Sequence, residues 1–405
     1  MVAGLITQHR ISRYHRGSLS DPNQWARNWN RTFVLERPSP RAGVLLLHGM
    51  SDSPYSLRHL GQRLHAAGAN IVGLRLPGHG TAPSGLLDVT WQDMAAAVRL
   101  AMRHLAEMTD DRPLYIVGYS NGAALAVDYA LETLDDPASP AVTRLVLVSP
   151  AIGVSEVAAL AIWQSRIGNL LGLDKLQWNA IQPEYDPFKY ASFTVNAADA
   201  VYRLTQEIQR QLDAFSKQGK LAGLPPILAF QSVIDATVST PALIQGLFAR
   251  LPADKHELVL FDINHRAMFE PIMAWQPEPL LRLLHSDAER QFRISLVSNR
   301  DSKSPDVVVR SRREPDGDPN VTALGLAWPD DVHSLSHVAL PFPIDDTLYG
   351  RNPNDETDII HLGALALRGE RNALRVPATE MLRLRCNPFY PYLETRVLDF
   401  LSLRE

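Results

Sequence analysis

The sequence predicts an α/β fold with a mostly parallel central sheet and helices on both faces. Over the first 150 residues, short and continuously apolar runs alternate with amphipathic stretches. Continuous apolar runs are typical of strands buried on both faces, and amphipathic stretches are typical of the helices that cover such a sheet. The 405 residues are 45% hydrophobic and 21% charged, so there is ample apolar material for a core, which excludes disorder as the main state. The length corresponds to about two or three domains, or to one large domain with insertions.

Strands and helices alternate through this first part. The helix predicted over 90–105 begins with Thr90 as N-cap and carries Asp93 at the third position of a capping box. The alternation indicates parallel strands joined by helices. The sequence has no fixed period of the kind expected of a repeat protein. Strands are predicted over 32–36, 43–47, 71–76, 114–118 and 144–149, and helices over 57–67, 90–105 and 123–134.

Composition excludes several classes of protein. Forty Lys and Arg against 44 Asp and Glu give a net charge of −4, whereas nucleic-acid binders carry a basic excess. The single cysteine, Cys386, excludes an intrachain disulfide and fits a reducing compartment, so a cytoplasmic location is predicted. No run of about 18 apolar residues predicts a membrane span, and the N-terminus lacks a signal-peptide core. His59 and His65 lack metal-site spacing, so neither a metal nor a cofactor is predicted.

A serine lies where a predicted strand runs into a predicted helix. It is Ser120, the centre of a Gly-x-Ser-x-Gly sequence flanked by Gly118 and Gly122. Glycine on either side lets strand and helix pass closely, and the sharp turn would hold the serine hydroxyl at the carboxyl edge of the sheet. A chance match in a loop is the alternative, and the flanking strand and helix argue against it. The motif therefore indicates a nucleophile.

Two backbone N–H groups are candidates for binding a developing oxyanion beside Ser120. Asn121 begins the helix after the serine, where amides are free of intrahelical partners. Met50 lies in the Gly-containing loop after the strand 43–47, where His48 is predicted to brace the chain. An ordinary glycine turn is the alternative for this loop. Phosphate binding is disfavoured because the sequence has neither Gly-x-Gly-x-x-Gly nor a Walker lysine.

Three motifs together carry a resemblance to a known family. They are His48-Gly49, the Leu-Pro-Gly-His-Gly-Thr sequence at 76–81, and the Gly-Tyr-Ser-Asn-Gly sequence at 118–122. In this order and spacing, the region 30–265 resembles the α/β-hydrolase superfamily, in its monoacylglycerol-lipase, carboxylesterase and lysophospholipase branch. The resemblance implies a Ser–His–Asp triad in the chain order Ser, Asp, His, and a helical cap inserted after the strand 144–149. It also implies ester hydrolysis through an acyl-enzyme without a cofactor.

The resemblance implies an acid at Asp235. This residue follows the predicted strand 225–231, and the family places the acid that orients the histidine in the loop leaving this strand. A carboxylate there would hold the imidazole in the tautomer that can accept the serine proton. An ordinary turn aspartate is the alternative.

Two histidines compete for the role of base. His265 follows the predicted strand 257–262, so strand order favours it. His337 lies in Ser-Leu-Ser-His-Val, which resembles the sequence around the catalytic histidine in many carboxylesterases and monoacylglycerol lipases. We prefer His337, because Arg266 beside His265 would disfavour an imidazolium if it lay close. This preference requires an insertion before the base, and predicted strands over 291–298, 306–313 and 322–328 supply one.

The sequence also predicts the cap, the C-terminal tail and the division of the chain into regions. Six aromatic residues in the cap region are predicted either to form an apolar wall for an acyl chain or to pack the cap itself: Trp163, Trp178, Tyr185, Phe188, Tyr190 and Phe193. The tail is predicted to end in a strand over 381–385 and a helix over 392–402, with Cys386 as a buried structural thiol. The predicted regions are the first part of the core (1–152), the helical cap (153–223), the second part of the core (224–265), a β-rich insertion (266–330), and the histidine loop with a C-terminal extension (331–405).

The sequence therefore predicts a serine hydrolase that cleaves carboxylic esters with an acyl chain. Its triad would be Ser120, Asp235 and His337, with Met50 and Asn121 as oxyanion donors. The predicted partner is a small or lipid-like ester. Thioester or amide cleavage on the same fold stays open, as does a non-catalytic binding protein that lacks a working base. Acyl length, the alcohol and the oligomeric state are not indicated.

Overall fold

The computed structural model describes residues 12–152, 177–253, 255–266, 292–312, 320–352, 360–363 and 382–404. Within them, ten strands form one sheet in the order β1-β3-β2-β4-β5-β8-β9-β10-β11-β12. Neighbouring strands from β3 to β10 are parallel, while β1, β11 and β12 pair antiparallel with their neighbours. The strands are β1 Phe33–Leu35, β2 Ala42–Leu47, β3 Ala69–Leu74, β4 Leu114–Tyr119, β5 Arg144–Val148, β8 Ile227–Ser232, β9 Glu257–Phe261, β10 Arg293–Asn299, β11 Asp306–Arg312 and β12 Asn320–Ala327.

Helices cover both faces of this sheet. Leu45 and Leu47 of β2 pack on one face with α2, α3 and α4, while Val44 and Leu46 pack on the other face with α1 and α6. Alternate residues of one strand thus serve two cores, which explains why the strand is apolar throughout. The helices are α1 Arg58–Ala66, α2 Trp91–Thr109, α3 Asn121–Glu132, α4 Val195–Lys217, α5 Thr240–Gly246 and α6 Tyr390–Phe400.

The predicted fold class is confirmed, including the extra strands toward the C-terminus. The predicted capping box is also present, because Thr90 accepts from the Asp93 amide at 3.1 Å and Asp93 accepts from the Thr90 amide at 2.9 Å. Cys386 is buried, and burial raises the pKa of its thiol to about 11, as expected for a structural cysteine. No helix among the described residues has both the length and the apolar character needed to cross a bilayer.

Two local predictions were wrong. No strand was predicted between residues 150 and 223, yet β6 (Trp178–Ala180) and β7 (Phe193–Thr194) form an antiparallel ribbon. Strands of two or three residues are too short to show an alternating pattern. A strand was also predicted over 381–385, but residues 382–385, the described part of this range, form none. Leu382 is 81% exposed, and the Leu384 carbonyl accepts from the Ser336 hydroxyl and not from the backbone of a neighbouring strand.

A buried ion pair ties the segment after His337 to the core. Asp346 is fully buried and accepts from the Arg58 guanidinium of α1 at 2.9 Å, from the Tyr55 hydroxyl at 3.0 Å, and from the backbone amides of Leu348 and Tyr349. Burial alone would raise the pKa of the Asp346 carboxyl, but the charge of Arg58 and the hydrogen bonds hold it well below its ordinary value. The carboxylate is therefore the charged anchor of this segment.

Replacing Asp346 by alanine is expected to lower the free energy of unfolding by about 3–5 kcal/mol, because the Arg58 charge is left buried without a partner. Since the pKa of Asp346 is depressed in the folded state, this stabilisation is fully present above the unfolded pKa of about 3.9 and declines progressively as the pH falls from there toward the much lower folded pKa. Urea denaturation at pH 7 and pH 3 measures both effects. Glu394→Ala is the control. It breaks an exposed ion pair with Arg63, which lies in the same helix as Arg58, and it should cost less than about 1 kcal/mol. A cost this small for Asp346→Ala would contradict the anchoring role.

Candidate active site

Ser120 occupies the turn between β4 and α3. Its backbone has φ 54° and ψ −116°, which is strained for a residue other than glycine. The Ser120 amide donates to the Val148 carbonyl at 2.9 Å, so the turn is fastened to the neighbouring strand β5. Strain held in place by the surrounding sheet is what a sharp strand-to-helix turn requires, and it leaves the serine at the carboxyl edge of the sheet.

The flanking glycines are required by close packing. A Cβ on Gly118 would lie 2.5 Å from the Ala123 Cα, and a Cβ on Gly122 would overlap the Leu47 carbonyl at the end of β2. Neither position has room for a larger residue. The glycine spacing read from the sequence is therefore explained by the approach of α3 to β4 and β2.

The loop that follows β2 lies against Ser120. A Cβ on Gly49 would be 3.2 Å from the Ser120 Cβ and 3.0 Å from the Tyr119 ring. His48 braces this loop as predicted: its Nδ1 lies 2.9 Å from the Gly49 carbonyl, and its Nε2 accepts from the Leu76 amide at 3.1 Å. Burial holds the pKa of His48 well below its ordinary value, so the ring is neutral and can donate at one nitrogen and accept at the other.

The two amides predicted to bind an oxyanion, those of Met50 and Asn121, directly follow Gly49 and Ser120, which pack against each other. Asn121 is the first residue of α3, so its N–H has no carbonyl within the helix to which it can donate. Met50 follows Gly49 and is partly buried against the core. Both amides therefore belong to chain segments adjoining Ser120.

Asp235 and His337 are in direct contact, although 102 residues separate them. The His337 Nδ1 lies 2.8 Å from the Asp235 Oδ2, and the two side chains are 5% and 0% exposed. The other oxygen, Oδ1, accepts from the amides of Thr237 and Val238 at 2.7 and 2.9 Å. Burial alone would raise the pKa of Asp235, but the hydrogen bonds from His337 and from these amides lower it below its ordinary value. The carboxylate is thus ionised and oriented at neutral pH.

His337 lies beside the serine turn. The Tyr119 hydroxyl donates to the His337 carbonyl at 3.4 Å, and the two rings are 5.4 Å apart at an angle of 36°. Because Tyr119 precedes Ser120 in the chain, this contact holds His337 against the residue directly before the nucleophile candidate. The ring nitrogen of His337 that does not face Asp235 is Nε2.

His265 belongs to a different pair. Its Nε2 lies 2.8 Å from the Asp262 Oδ2, and its side chain is 34% exposed. His265 follows β9, which is three strands away from β4 in the sheet. At about 4.8 Å between neighbouring strands, β9 is roughly 14 Å from the strand that leads into Ser120. Arg266 does not have the effect considered for it: its guanidinium pairs with Asp330, and the hydrogen bond that His265 makes to the Asp262 carboxylate raises the pKa of His265.

A cavity of about 470 Å³ adjoins these loops. Ser51 and Val338, which line it, follow the candidate residues Met50 and His337 directly. Of the aromatic residues predicted as an apolar wall, Tyr185, Tyr190 and Phe193 line the cavity. Phe188 instead stacks on the Tyr55 ring at 4.2 Å, Trp178 belongs to β6, and Trp163 lies outside the described residues.

Sequence reasoning missed one side chain that holds the acid. Gln231, at the end of β8, donates from Nε2 to the Asp235 Oδ2 at 3.1 Å and to the Val238 carbonyl at 3.0 Å. The only signal in the sequence was a polar residue in an otherwise apolar strand, four residues before Asp235. A buried polar side chain at the carboxyl end of a parallel strand is a position from which site residues are commonly supported.

A serine at a strained strand-to-helix turn, set in a parallel sheet covered by helices on both faces, defines the α/β-hydrolase fold. The chain belongs to the serine aminopeptidase S33 family, whose model matches residues 38–272.

Known proteins resemble parts of the chain. A thermostable monoacylglycerol lipase from Bacillus sp. (strain H-257) is 29% identical over 117 residues, which are 29% of this chain and 44% of that protein's length. Lipase LipV from Mycobacterium tuberculosis is 25% identical over 242 residues, covering 56% of this chain and 88% of the relative. Among solved structures, a monoacylglycerol lipase from Paleococcus ferrophilus has 16% identity and a TM-score of 0.42, covering 57% of this chain and 88% of that one.

Proposed function

We propose that the protein is a serine hydrolase that cleaves carboxylic esters with an acyl chain. The observation that carries this proposal is the 2.8 Å contact between the His337 Nδ1 and the buried Asp235 Oδ2, beside the turn that presents Ser120. A carboxylate–imidazole pair next to a serine is the arrangement that activates a hydroxyl as a nucleophile. Two relatives are named as lipases, which supports an ester as the substrate.

The proposed reaction begins with proton transfer to His337. As the Ser120 Oγ attacks the ester carbonyl carbon, its proton moves to the His337 Nε2, and Asp235 stabilises the imidazolium that forms. The carbon–oxygen bond to the alcohol then breaks, and the leaving oxygen takes the proton from Nε2. Water attacks the acyl-enzyme in the same way, giving a proton to His337 that returns to the Ser120 Oγ as the acid leaves.

The backbone amides of Met50 and Asn121 are proposed to bind the oxyanion. Each would donate a hydrogen bond to the carbonyl oxygen as it gains negative charge, and one such donor is worth roughly 10²–10³ in turnover. Gly49 packs on Ser120 and directly precedes Met50. The contact between Gly49 and Ser120 therefore also restricts the position of the Met50 amide. Tight packing of this loop matters, since donors fixed before the reaction need no reorganisation during it.

Labelling with a fluorophosphonate probe tests the proposed nucleophile. The probe phosphonylates an activated serine, so mass spectrometry of the digested wild type is expected to find the adduct on Ser120. Ser120→Ala should lose the adduct. Ser149→Ala is the matched control: Ser149 follows the neighbouring strand β5, also has a positive φ, and should not affect labelling.

Labelling and turnover together distinguish the other candidate functions. Wild type that is labelled at Ser120 and hydrolyses p-nitrophenyl butyrate supports the proposal. Labelling without turnover of simple esters would contradict the ester assignment and favour thioesters or amides. Wild type that is neither labelled nor active would contradict the enzyme assignment and favour a binding protein.

A further inference from the structure

The cavity beside the proposed triad is lined by more cationic than anionic side chains. Lys189, Arg383 and Arg385 line it, and Asp186 is the carboxylate among its described lining residues. The whole chain has a net charge of −4, so this local excess of positive charge runs against the overall balance. Such an excess inside a concave site favours an anionic ligand.

The carboxylates near the cavity are already engaged. Asp186 is buried, accepts from the amides of Phe188 and Lys189 at 2.9 and 3.0 Å, and accepts from the Tyr349 hydroxyl at 2.6 Å. Lys189 lies 3.4 Å from the buried Asp52. The ammonium and both carboxylates thus have partners within the protein.

The two arginines of the cavity each donate to a neutral hydroxyl group. Arg383 donates to the neutral Thr237 hydroxyl at 3.1 Å, and Arg385 donates to the neutral Tyr185 hydroxyl at 3.3 Å. Among the residues that the structure describes, neither arginine has an ion pair within 4.0 Å, although both are only partly exposed. Burial alone would lower the pKa of the Arg385 guanidinium, but the nearby charge of Asp186 helps to raise it, whereas the Arg383 guanidinium is hydrogen-bonded only to the Thr237 hydroxyl among the described residues. A guanidinium has five N–H donors, and among the described residues each arginine uses one of them in a side-chain hydrogen bond. Partial burial of an unpaired charge costs free energy that a bound anion would recover.

The position of the arginines connects this charge to the reaction. Arg383 contacts Thr237, two residues after Asp235, while Val338 and Ser51 line the same cavity next to His337 and Met50. The cavity that adjoins the candidate oxyanion and base loops is therefore also lined by two guanidinium groups. Tyr185 and Phe342, also in the lining, supply apolar surface.

We propose that Arg383 and Arg385 bind an oxyanionic group, a carboxylate or a phosphate, carried by the substrate ester. This inference rests on the proposed function, and it names the substrate class that the same site prefers. Planar guanidinium groups form bidentate hydrogen bonds with both anions, which makes them suited to this role. The preferred substrate is then an ester with a negative charge at one end, in contrast to a wholly neutral one.

Matched ester pairs test the proposal. The first pair is 4-nitrophenyl hydrogen glutarate, with a free carboxylate on the acyl side, and the same ester with that carboxylate capped as a methyl ester. The second pair is 1-butyrylglycerol 3-phosphate, with the charge on the alcohol side, and 1-butyrylglycerol. In each pair the quantity measured is the ratio of kcat/KM for the charged ester to that for the neutral ester.

We expect wild type to prefer the charged ester in one of the pairs, which identifies the source of the anion. Arg385→Gln is expected to lower that ratio about tenfold to a hundredfold, the usual worth of a charge-assisted hydrogen bond. Arg385→Lys should retain part of the preference because it keeps the charge but loses the bidentate geometry. Arg63→Gln, on an exposed arginine of α1 outside the cavity, is the control and should leave the ratio unchanged.

Ionic strength gives a test that does not depend on any variant folding. The preference of wild type for the charged ester should decline as salt is raised, because the attraction is partly screened. Arg383→Gln provides a second variant, with the same expected direction as Arg385→Gln.

The two proposals fail in different ways. If the charged and the neutral ester are hydrolysed at equal rates in both pairs, with no salt effect and no change of the ratio in the arginine variants, the anion site is wrong and the hydrolase assignment stands. If no ester is hydrolysed in a manner that Ser120→Ala abolishes, the proposed function is wrong and the anion site falls with it.

Discussion

Replacing His337 by alanine is expected to lower kcat for p-nitrophenyl butyrate by about 10⁶-fold, the size of effect seen when the base of a serine hydrolase is removed. The physical reason is that Ser120 then has no group to accept its proton during attack, and the leaving alcohol has no donor. Circular dichroism and urea denaturation check that the variant is folded. Initial rates at saturating substrate give the loss in kcat.

His265→Ala is the matched control for this experiment. His265 also contacts an aspartate at 2.8 Å, but it follows β9 on the far side of β5 and β8 from Ser120. Removing it is expected to change kcat no more than a few-fold. A result with the sizes reversed would assign the base to His265 and make the Ser-His-Val sequence at 336–338 a coincidental likeness.

The choice between these histidines shows where sequence reasoning reaches its limit. Strand order correctly located the end of β9, so His265 was a natural candidate by position. Pairing is decided by where a carboxylate lies in space. Asp235 faces a residue 102 positions away, while the carboxylate that His265 contacts is only three residues from it. Neither kind of pairing can be read from the sequence: a histidine and an aspartate three residues apart form no distinctive pattern, and two residues 102 positions apart form none either.

The sheet was easier to predict because its signal is local. Residues 43–47 and 114–118 are apolar at every position, and both lie in strands within one residue of the predicted bounds, β2 and β4. Burial on both faces enforces this pattern, so it is read without knowing the neighbours. The last strands were also predictable, since β10, β11 and β12 alternate with charged turns.

Short or irregular segments did not follow the same rule. Leu382 and Leu384 suggest a strand by their spacing, yet the described chain there bonds to the loop of His337 through the Ser336 hydroxyl. The arginines of this segment, Arg383 and Arg385, carry no motif that would single them out in the sequence. Their role as lining of the cavity arises only when the tail packs beside the loop that carries Asp235.

Asp235→Asn is expected to lower kcat by about 10⁴-fold while leaving the fold intact, because the amide would hold His337 in the wrong tautomer. In wild type, Oδ1 accepts from the amides of Thr237 and Val238, which fixes an oxygen at that position. The amide nitrogen of asparagine would therefore replace Oδ2, where it would face the His337 Nδ1. It would donate to Nδ1, so the ring proton would move to Nε2, and Nε2 could no longer accept from Ser120.

Gln231 adds an energetic cost to this substitution without reversing the preferred orientation. Its Nε2 donates to the same Oδ2 at 3.1 Å, so an asparagine nitrogen placed there would meet a second donor. The alternative orientation would point that nitrogen at two backbone N–H groups instead, which is worse.

Asp262→Asn is the control that separates tautomer control from a general effect of losing a carboxylate beside a histidine. Asp262 contacts His265 at the same 2.8 Å distance, and its loss is expected to leave kcat within a few-fold of wild type. The pH dependence provides a second readout: because the pKa of Asp235 is lowered in the folded state, its contribution to stability is present above the unfolded pKa of about 3.9 and disappears below it. The stability difference between wild type and Asp235→Asn should therefore shrink in acid. The kcat difference at neutral pH, where the carboxylate is fully ionised, should stay at its full size. Equal losses of kcat in Asp235→Asn and Asp262→Asn would refute the assignment of Asp235 as the residue that orients the base.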